Sequence, residues 1–285
     1  RDFQLGVVQD MWVESGLFDD LSIYVSEWNQ SGSSSEFERR VDYGLYQAQE
    51  MLNILEAFSF WGVDRAAVWP LIQNTANALA KGWSYDGLTP AGEFFRIMSE
   101  ALPGLSPIDF DPEDRIETEF QLGDLSAHGF YGDERLEIFV GSRAEGAVWT
   151  EIDLSPLIRA AGLPEAVRLG VLPGQAPGDN ASTAVLTPIP RADLLNETNL
   201  RVSLSPGEIL HVTFDDYVPT QDFHGSAVAQ GLETGRPLVL GTSGDDWIDI
   251  QDSSRIDGGD GIDTVVLTGN PGSYTLGFAG DTVRL

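Results

Sequence analysis

Two groups of residues in this 285-residue chain have the types and spacing to do chemistry. The first lies near the end of the sequence. Gly241-Thr-Ser243-Gly244-Asp245-Asp246-Trp-Ile248-Asp249 and Gly258-Gly259-Asp260-Gly261-Ile-Asp263-Thr-Val265-Val are nonapeptides of the form G-x-x-G-x-D-x-U-x, where U is a large apolar residue. In such a unit the glycines tolerate positive φ and turn backbone carbonyls inward, and the last residues make a short strand. Calcium takes about six to eight oxygens, which turn carbonyls and aspartates supply. Stacked turns on one face of a roll recur at about 18 residues, and Gly241 to Gly258 is a step of 17. Gly241, Ser243, Asp246, Gly258, Asp260 and Asp263 are therefore the expected calcium ligands, with Asp246 and Asp263 stacked on one shared ion. The intervening Ile250–Asp257 lacks glycine and is expected to form the opposite turn and hold an ion poorly. The competing reading is a Gly/Asp-rich loop in a plain β domain.

The second group is Ser26-Glu27-Trp28-Asn29, directly after a short apolar run, Leu21–Val25, that reads as a strand. A carboxylate at the carboxyl end of a parallel strand is where a (β/α) barrel keeps its catalytic groups. Such a carboxylate can attack an anomeric carbon while a neighbouring indole stacks on a sugar face. Glu27 is thus the candidate nucleophile, with Trp28, Asn29 and Trp69 as candidate substrate contacts. The competing reading is a surface glutamate with no chemical task.

The elements around Glu27 follow from periodicity. Ser35 and Glu38 have capping-box spacing, and Val41, Leu45, Ala48, Met51, Leu52, Leu55 and Phe58 mark one apolar helix face closed by Gly62. Val63–Ile72 returns to strand character and ends near Trp69-Pro70. Thr89-Pro90 then opens a second helix carrying Phe94, Phe95, Ile97, Met98 and Leu102, which Pro103-Gly104 stops. Strand, helix, strand, helix implies parallel strands with crossover helices. From residue 104 to 217 the helical period fades. Short runs at Glu117–Leu122, Arg135–Val140, Val148–Leu154, Ala166–Leu172, Ala184–Ile189 and Ile209–Phe214 suggest an antiparallel β-sandwich, with a helical turn or two at 155–162. Residues 218–234 read as a linker.

The nonapeptides resemble the RTX repeat of bacterial secreted proteins. That resemblance implies a Gram-negative source, type I export and folding of a parallel β-roll over residues 235–285 on meeting external calcium. Residues 21–217 resemble the end of a clan A retaining glycoside hydrolase of the arabinofuranosidase and xylosidase kind. The likeness rests on the apolar-then-Glu-Trp motif at Glu27, the aromatic at Trp69, the Thr89-Pro90 helix start and the β-sandwich that follows. It implies that Glu27 is the nucleophile at the end of strand seven, and that Trp69 closes strand eight with a cis bond to Pro70. The fold class is then multidomain: the last two βα units of a (β/α)8 barrel (1–103), a β-sandwich (104–217) and the C-terminal roll.

Composition narrows the partners. Forty-five acidic residues face 16 basic ones, a formal net charge of −29, and Lys81 is the only lysine. Such a surface repels phosphate backbones and anionic membranes, which argues against nucleic-acid binding. The absence of cysteine removes disulfides and thiolate metal sites, and no apolar run reaches the length of a membrane span. His128, His211 and His224 are scattered and do not form a metal cluster. The Asn-x-Ser/Thr triplets at Asn180 and Asn196 read as chance. The chain opens at Arg1, from which processing or truncation is expected to have removed a beginning.

A barrel needs eight strands, yet only two βα units fit before residue 104. The resemblance implies an acid/base carboxylate on strand four, and Glu14, Glu36 and Glu38 have no strand-end setting. The expectation is the carboxyl-terminal part of a secreted, calcium-binding glycosidase that acts on polysaccharide or oligosaccharide and is inactive alone. The alternatives are a non-enzymatic calcium-dependent adhesive module and, third, an RTX-linked lyase or epimerase.

Overall fold

The computed structural model of the protein describes residues 22–30, 43–60, 62–72, 75–83, 85–108, 120–122, 124–132, 134–155, 157–196, 199–219, 238–240, 247–250, 255–257, 264–267, 277–279 and 282–284. Its first strands, β1 (Tyr24–Trp28) and β2 (Arg65–Val68), pair in parallel, with helix α1 (Gly44–Phe60) between them and α2 (Pro90–Ala101) after. Both helices lie where the three-to-four-residue apolar spacing puts them. Thr89 caps α2: its Oγ1 accepts from the Gly92 amide at 3.1 Å, and Pro90 takes the first helical position. Gly62, at φ +66°, ends α1 with Val63 N–H donating to Phe58 O at 2.9 Å, the six-to-one bond of a Schellman turn.

The start of α1 differs from expectation. The described helix begins at Gly44, and the predicted capping pair Ser35 and Glu38 lies outside the described residues. Its first amides are met by a distant segment: Gly44 N–H donates to Asn180 Oδ1 at 2.9 Å and Leu45 N–H to Pro177 O at 2.8 Å. Gly44 sits at φ +59°, and a Cβ there would lie 2.3 Å from Pro177 O, so glycine is required at this contact.

Two antiparallel sheets follow. The larger joins β10 (Ala184–Pro188), β9 (Glu165–Val171), β13 (Ile209–Asp215), β6 (Arg135–Ser142), β5 (Leu125–Tyr131) and β3 (Ser106–Pro107) in that order, with β4 (Phe120–Leu122) also on β5. The smaller joins β11 (Leu195–Asn196), β12 (Asn199–Leu204) and β7 (Val148–Asp153). Between them lies one core of Leu125, Leu136, Ile138, Val140, Ile152, Leu200, Val202, Val212 and Phe214. The other face of the larger sheet packs on α1 and α2, where Phe130, Phe139, Leu169 and Ile209 meet Leu45, Met51, Phe94 and Met98. Phe94 meets Phe139 edge-on at 5.7 Å. This double burial leaves almost every residue of β5 and β6 buried, polar Ser126, His128, Glu137 and Ser142 included.

Residues 155–162 hold one turn, with Leu157 N–H and Ile158 N–H both donating to Leu154 O at 2.9 Å, followed by a strand, β8 (Ile158–Ala160). The stretch read as a linker from 218 starts as a strand, because β14 (Val218–Pro219) pairs with β8. The described part of the C-terminal segment forms parallel pairs. β15 (Leu238–Leu240) lies on β17 (Arg255–Asp257), and β16 (Trp247–Ile250) on β18 (Thr264–Leu267). Both registers step by 17 residues, as in Leu238↔Arg255 and Trp247↔Thr264. A final hairpin joins β19 (Gly277–Ala279) and β20 (Thr282–Arg284).

Candidate active site

A β-bulge decides what the end of β1 presents. Val25 pairs with Ala66 and Trp28 with Val68, so Ser26 and Glu27 together oppose the single residue Ala67. Ile23 is buried, and Val25 packs against the core that includes the helices. Strict alternation would send Glu27 to that same side and turn Trp28 outward. The extra residue reverses this. Ser26 and Glu27 are both exposed, and Trp28 turns under the sheet.

Trp28 is consequently a core residue. It is 7 % exposed and packs edge-on against Phe58 at 5.7 Å and tilted against Phe95 at 6.2 Å. A sugar platform needs an open ring face, so the expected stacking role of Trp28 is not met. Asn29 is likewise engaged inside. Its Nδ2 donates to Asn77 O at 2.9 Å, and its Oδ1 accepts from Gln30 N–H at 2.8 Å and from Gln47 Nε2 at 2.9 Å. With both ends of the amide taken, Asn29 braces the strand end and is not placed to contact substrate.

Trp69 keeps the setting expected of it. Its N–H donates to Trp28 O at 3.0 Å, carrying the pairing past the strand, and its bond to Pro70 is cis. The side chain is 51 % exposed. The loop that follows is well tied: Leu79 N–H donates to Pro70 O, Lys81 N–H to Gly87 O, and Asp86 N–H to Lys81 O. It displays Trp83, 71 % exposed, and Tyr85, exposed and at φ +58°. A non-glycine residue in the left-handed region costs of order 1 kcal/mol, and such residues cluster at ligand sites. These two rings were not singled out from sequence. Their position between Gly82 and Gly87, in the loop after β2, was the available signal.

Glu14, Glu36 and Glu38 lie outside the described residues. Asp64 is at the opposite end of β1, accepting from Ile23 N–H at 2.6 Å. The six predicted calcium ligands, Gly241, Ser243, Asp246, Gly258, Asp260 and Asp263, also lie outside the described residues, as does His224. Among the described residues no group of histidine and carboxylate side chains is arranged to hold a metal. His128 and His211 instead face carboxylates, with His128 Nδ1 3.0 Å from Glu56 Oε2 and His211 Nε2 2.7 Å from Glu137 Oε2. Among the described residues no helix is long and apolar enough to cross a membrane.

No family model matches the chain, and no curated protein does. Solved structures do. An α-L-arabinofuranosidase from Thermotoga maritima shares 18 % identity at a TM-score of 0.49, over 74 % of this chain and 47 % of its own. A glycoside hydrolase family 30 subfamily 8 xylanase from Clostridium acetobutylicum gives 10 % and 0.42, over 69 % and 43 %. A family 44 xyloglucanase from Paenibacillus polymyxa gives 12 % and 0.43, over 74 % and 35 %. The chain spans less than half the length of each, and all three are glycoside hydrolases to which it is similar at low identity.

Proposed function

We propose that this chain is the carboxyl-terminal part of a retaining glycoside hydrolase acting on polysaccharide or oligosaccharide, with Glu27 as nucleophile. One observation carries the reading. The bulge at Ser26–Glu27 leaves a carboxylate exposed at the carboxyl end of a parallel strand, whose neighbour strand runs on to half-exposed Trp69. In the retaining reaction the Glu27 carboxylate attacks the anomeric carbon while a second carboxyl, about 5–5.5 Å away, protonates the leaving oxygen. Water then releases the sugar from the ester at Glu27. The second carboxyl comes from a strand upstream of β1, so hydrolysis belongs to the longer enzyme. A 2-fluoroglycoside that traps the ester, followed by peptide mass analysis, tests this. Label on the peptide containing Glu27 is expected, and label elsewhere with full activity in Glu27→Ala removes Glu27 from the mechanism.

The C-terminal segment is proposed to bind calcium as a parallel roll and to belong to a secreted, extracellular protein. Support comes from the 17-residue register. It sets Leu240 beside Asp257 and Trp247 beside Thr264, the residues that flank the two nonapeptide turns in sequence. That is the layout in which Asp246 and Asp263 can share a divalent ion, whose charge offsets their mutual repulsion. Chelating calcium from the full chain is expected to lower β-sheet ellipticity reversibly. Identical spectra with chelator and with millimolar calcium count against the roll.

A further inference from the structure

Asn180 belongs to the turn Ala176–Ser182, which links β9 to β10 on the sandwich. The residue is 7 % exposed, which leaves no room for a glycan at this Asn-Ala-Ser triplet. Its side chain reaches three pieces of the βα segment. Oδ1 accepts from Gly44 N–H at the start of α1, while Nδ2 donates to Gln47 Oε1 at 3.1 Å and to Ala76 O. Gln47 passes the contact on, its Nε2 donating to Asn29 Oδ1 and to Asn77 O, both at 2.9 Å. Asn77 Nδ2 closes the set by donating to Gln30 O at 2.8 Å.

Backbone groups fix the polarity of this relay. Gly44 N–H can only donate and Ala76 O can only accept, which orients the Asn180 amide. Asn77 O and Gln30 N–H do the same for Gln47 and Asn29. No amide in the series can turn over without setting acceptor against acceptor or donor against donor.

We propose that Asn180 is a positioning residue for Glu27, so that a sandwich turn sets the strand-end geometry through Gln47 and Asn29. The inference rests on the reading of Glu27 as nucleophile. Asn29 lies two residues beyond Glu27, past a bulge whose backbone has one residue more than its partner strand to absorb. On this proposal a shift at Asn29 is carried to Glu27 through Trp28, the one residue between them, which packs on Phe58 and Phe95. The turn itself stays docked without Asn180, because Lys81 Nζ donates separately to Ala181 O at 3.0 Å and Ser182 O at 2.8 Å.

Asn180→Asp keeps the shape and replaces the donor by a carboxylate oxygen facing Ala76 O and Gln47 Oε1. Gln47 can answer only by turning its amide, which removes Nε2 from Asn29. Asn180→Ala deletes the relay without adding charge, and so controls for the new charge. In the full 285-residue chain, both variants should exchange the Gln30 amide about tenfold faster, the factor for losing one buried hydrogen bond. Amides of β6 and β13 should be unchanged. An unaltered Gln30 rate overturns the relay, and so does an equal loss of protection in β6 and β13, which makes the turn a general brace. In the enzyme carrying its upstream strands, both variants should lower kcat about tenfold with KM held within about twofold. Wild-type kcat in both, with Glu27→Gln inactive, overturns the positioning role alone. Full activity in Glu27→Gln removes the nucleophile reading, and the exchange rates still judge the relay.

Discussion

Gly92→Ala offers a case where helix propensity and tertiary structure predict opposite signs. Gly92 is the third residue of α2, in ordinary helical conformation, where alanine normally stabilises by about 1 kcal/mol. A Cβ at this position would lie 1.9 Å from Leu79 O and 2.8 Å from Leu79 C, all of it backbone. Ordinary contact begins at 3.4 Å, so helix and loop must part by about 1.5 Å. Leu79 cannot easily yield. Its carbonyl accepts from Thr89 N–H at 2.9 Å and from Thr89 Oγ1 at 3.1 Å, and that same hydroxyl caps the helix. Separation would break two bonds and weaken the cap, each worth about 1 kcal/mol. Set against the propensity gain, the net cost is about 2 kcal/mol. Urea unfolding followed by tryptophan fluorescence measures it through the midpoint at constant slope. A variant as stable as the parent, or more so, would refute the close approach of loop and helix.

Two further outcomes can be checked. Burial, and then the neighbouring Tyr131, push the Tyr217 hydroxyl well above the ordinary tyrosine range, and it donates to Leu157 O at 3.1 Å. The unfolded chain therefore ionises first. The stabilisation is complete below about pH 10 and declines as pH rises above it. Tyr217→Phe should cost about 1 kcal/mol at neutral pH and flatten the alkaline decline, whereas parallel pH curves for the two proteins would contradict this. Trp28→Ala should destabilise by about 3–5 kcal/mol as a buried aromatic, while half-exposed Trp69→Ala should cost less than about 1 kcal/mol. Comparable losses of stability from both would contradict the division of core and rim.

Periodicity alone located α1, α2 and their caps at Gly62 and Thr89, because helix ends and apolar faces are set by residues within a few positions of each other. Six strands of the two sheets were legible for the same reason. β5 and β12 were not singled out: Leu-Ser-Ala-His-Gly-Phe-Tyr carries a weak β signal and becomes a strand through the neighbours that cover it, whereas Asn-Leu-Arg-Val-Ser-Leu alternates polar and apolar residues, a strand signal the sequence did offer. The repeat spacing of the C-terminal nonapeptides was readable, and the described strands beside them pair with the same step of 17.

Glu27 could be picked from sequence as a strand-end carboxylate, but its direction could not. Facing is a matter of register, and one extra residue between Val25 and Trp28 exchanges the places of Glu27 and Trp28 without any local signal. The roles of Asn29, Gln47 and Asn180 were equally hidden. Their partners stand 18 to 136 residues away, and a hydrogen bond over that distance is made by packing, not by spacing. Residue types therefore fixed which chemistry this chain could support. The packing of the larger sheet on two helices decided which of those residues face solvent and which hold the strand end in place.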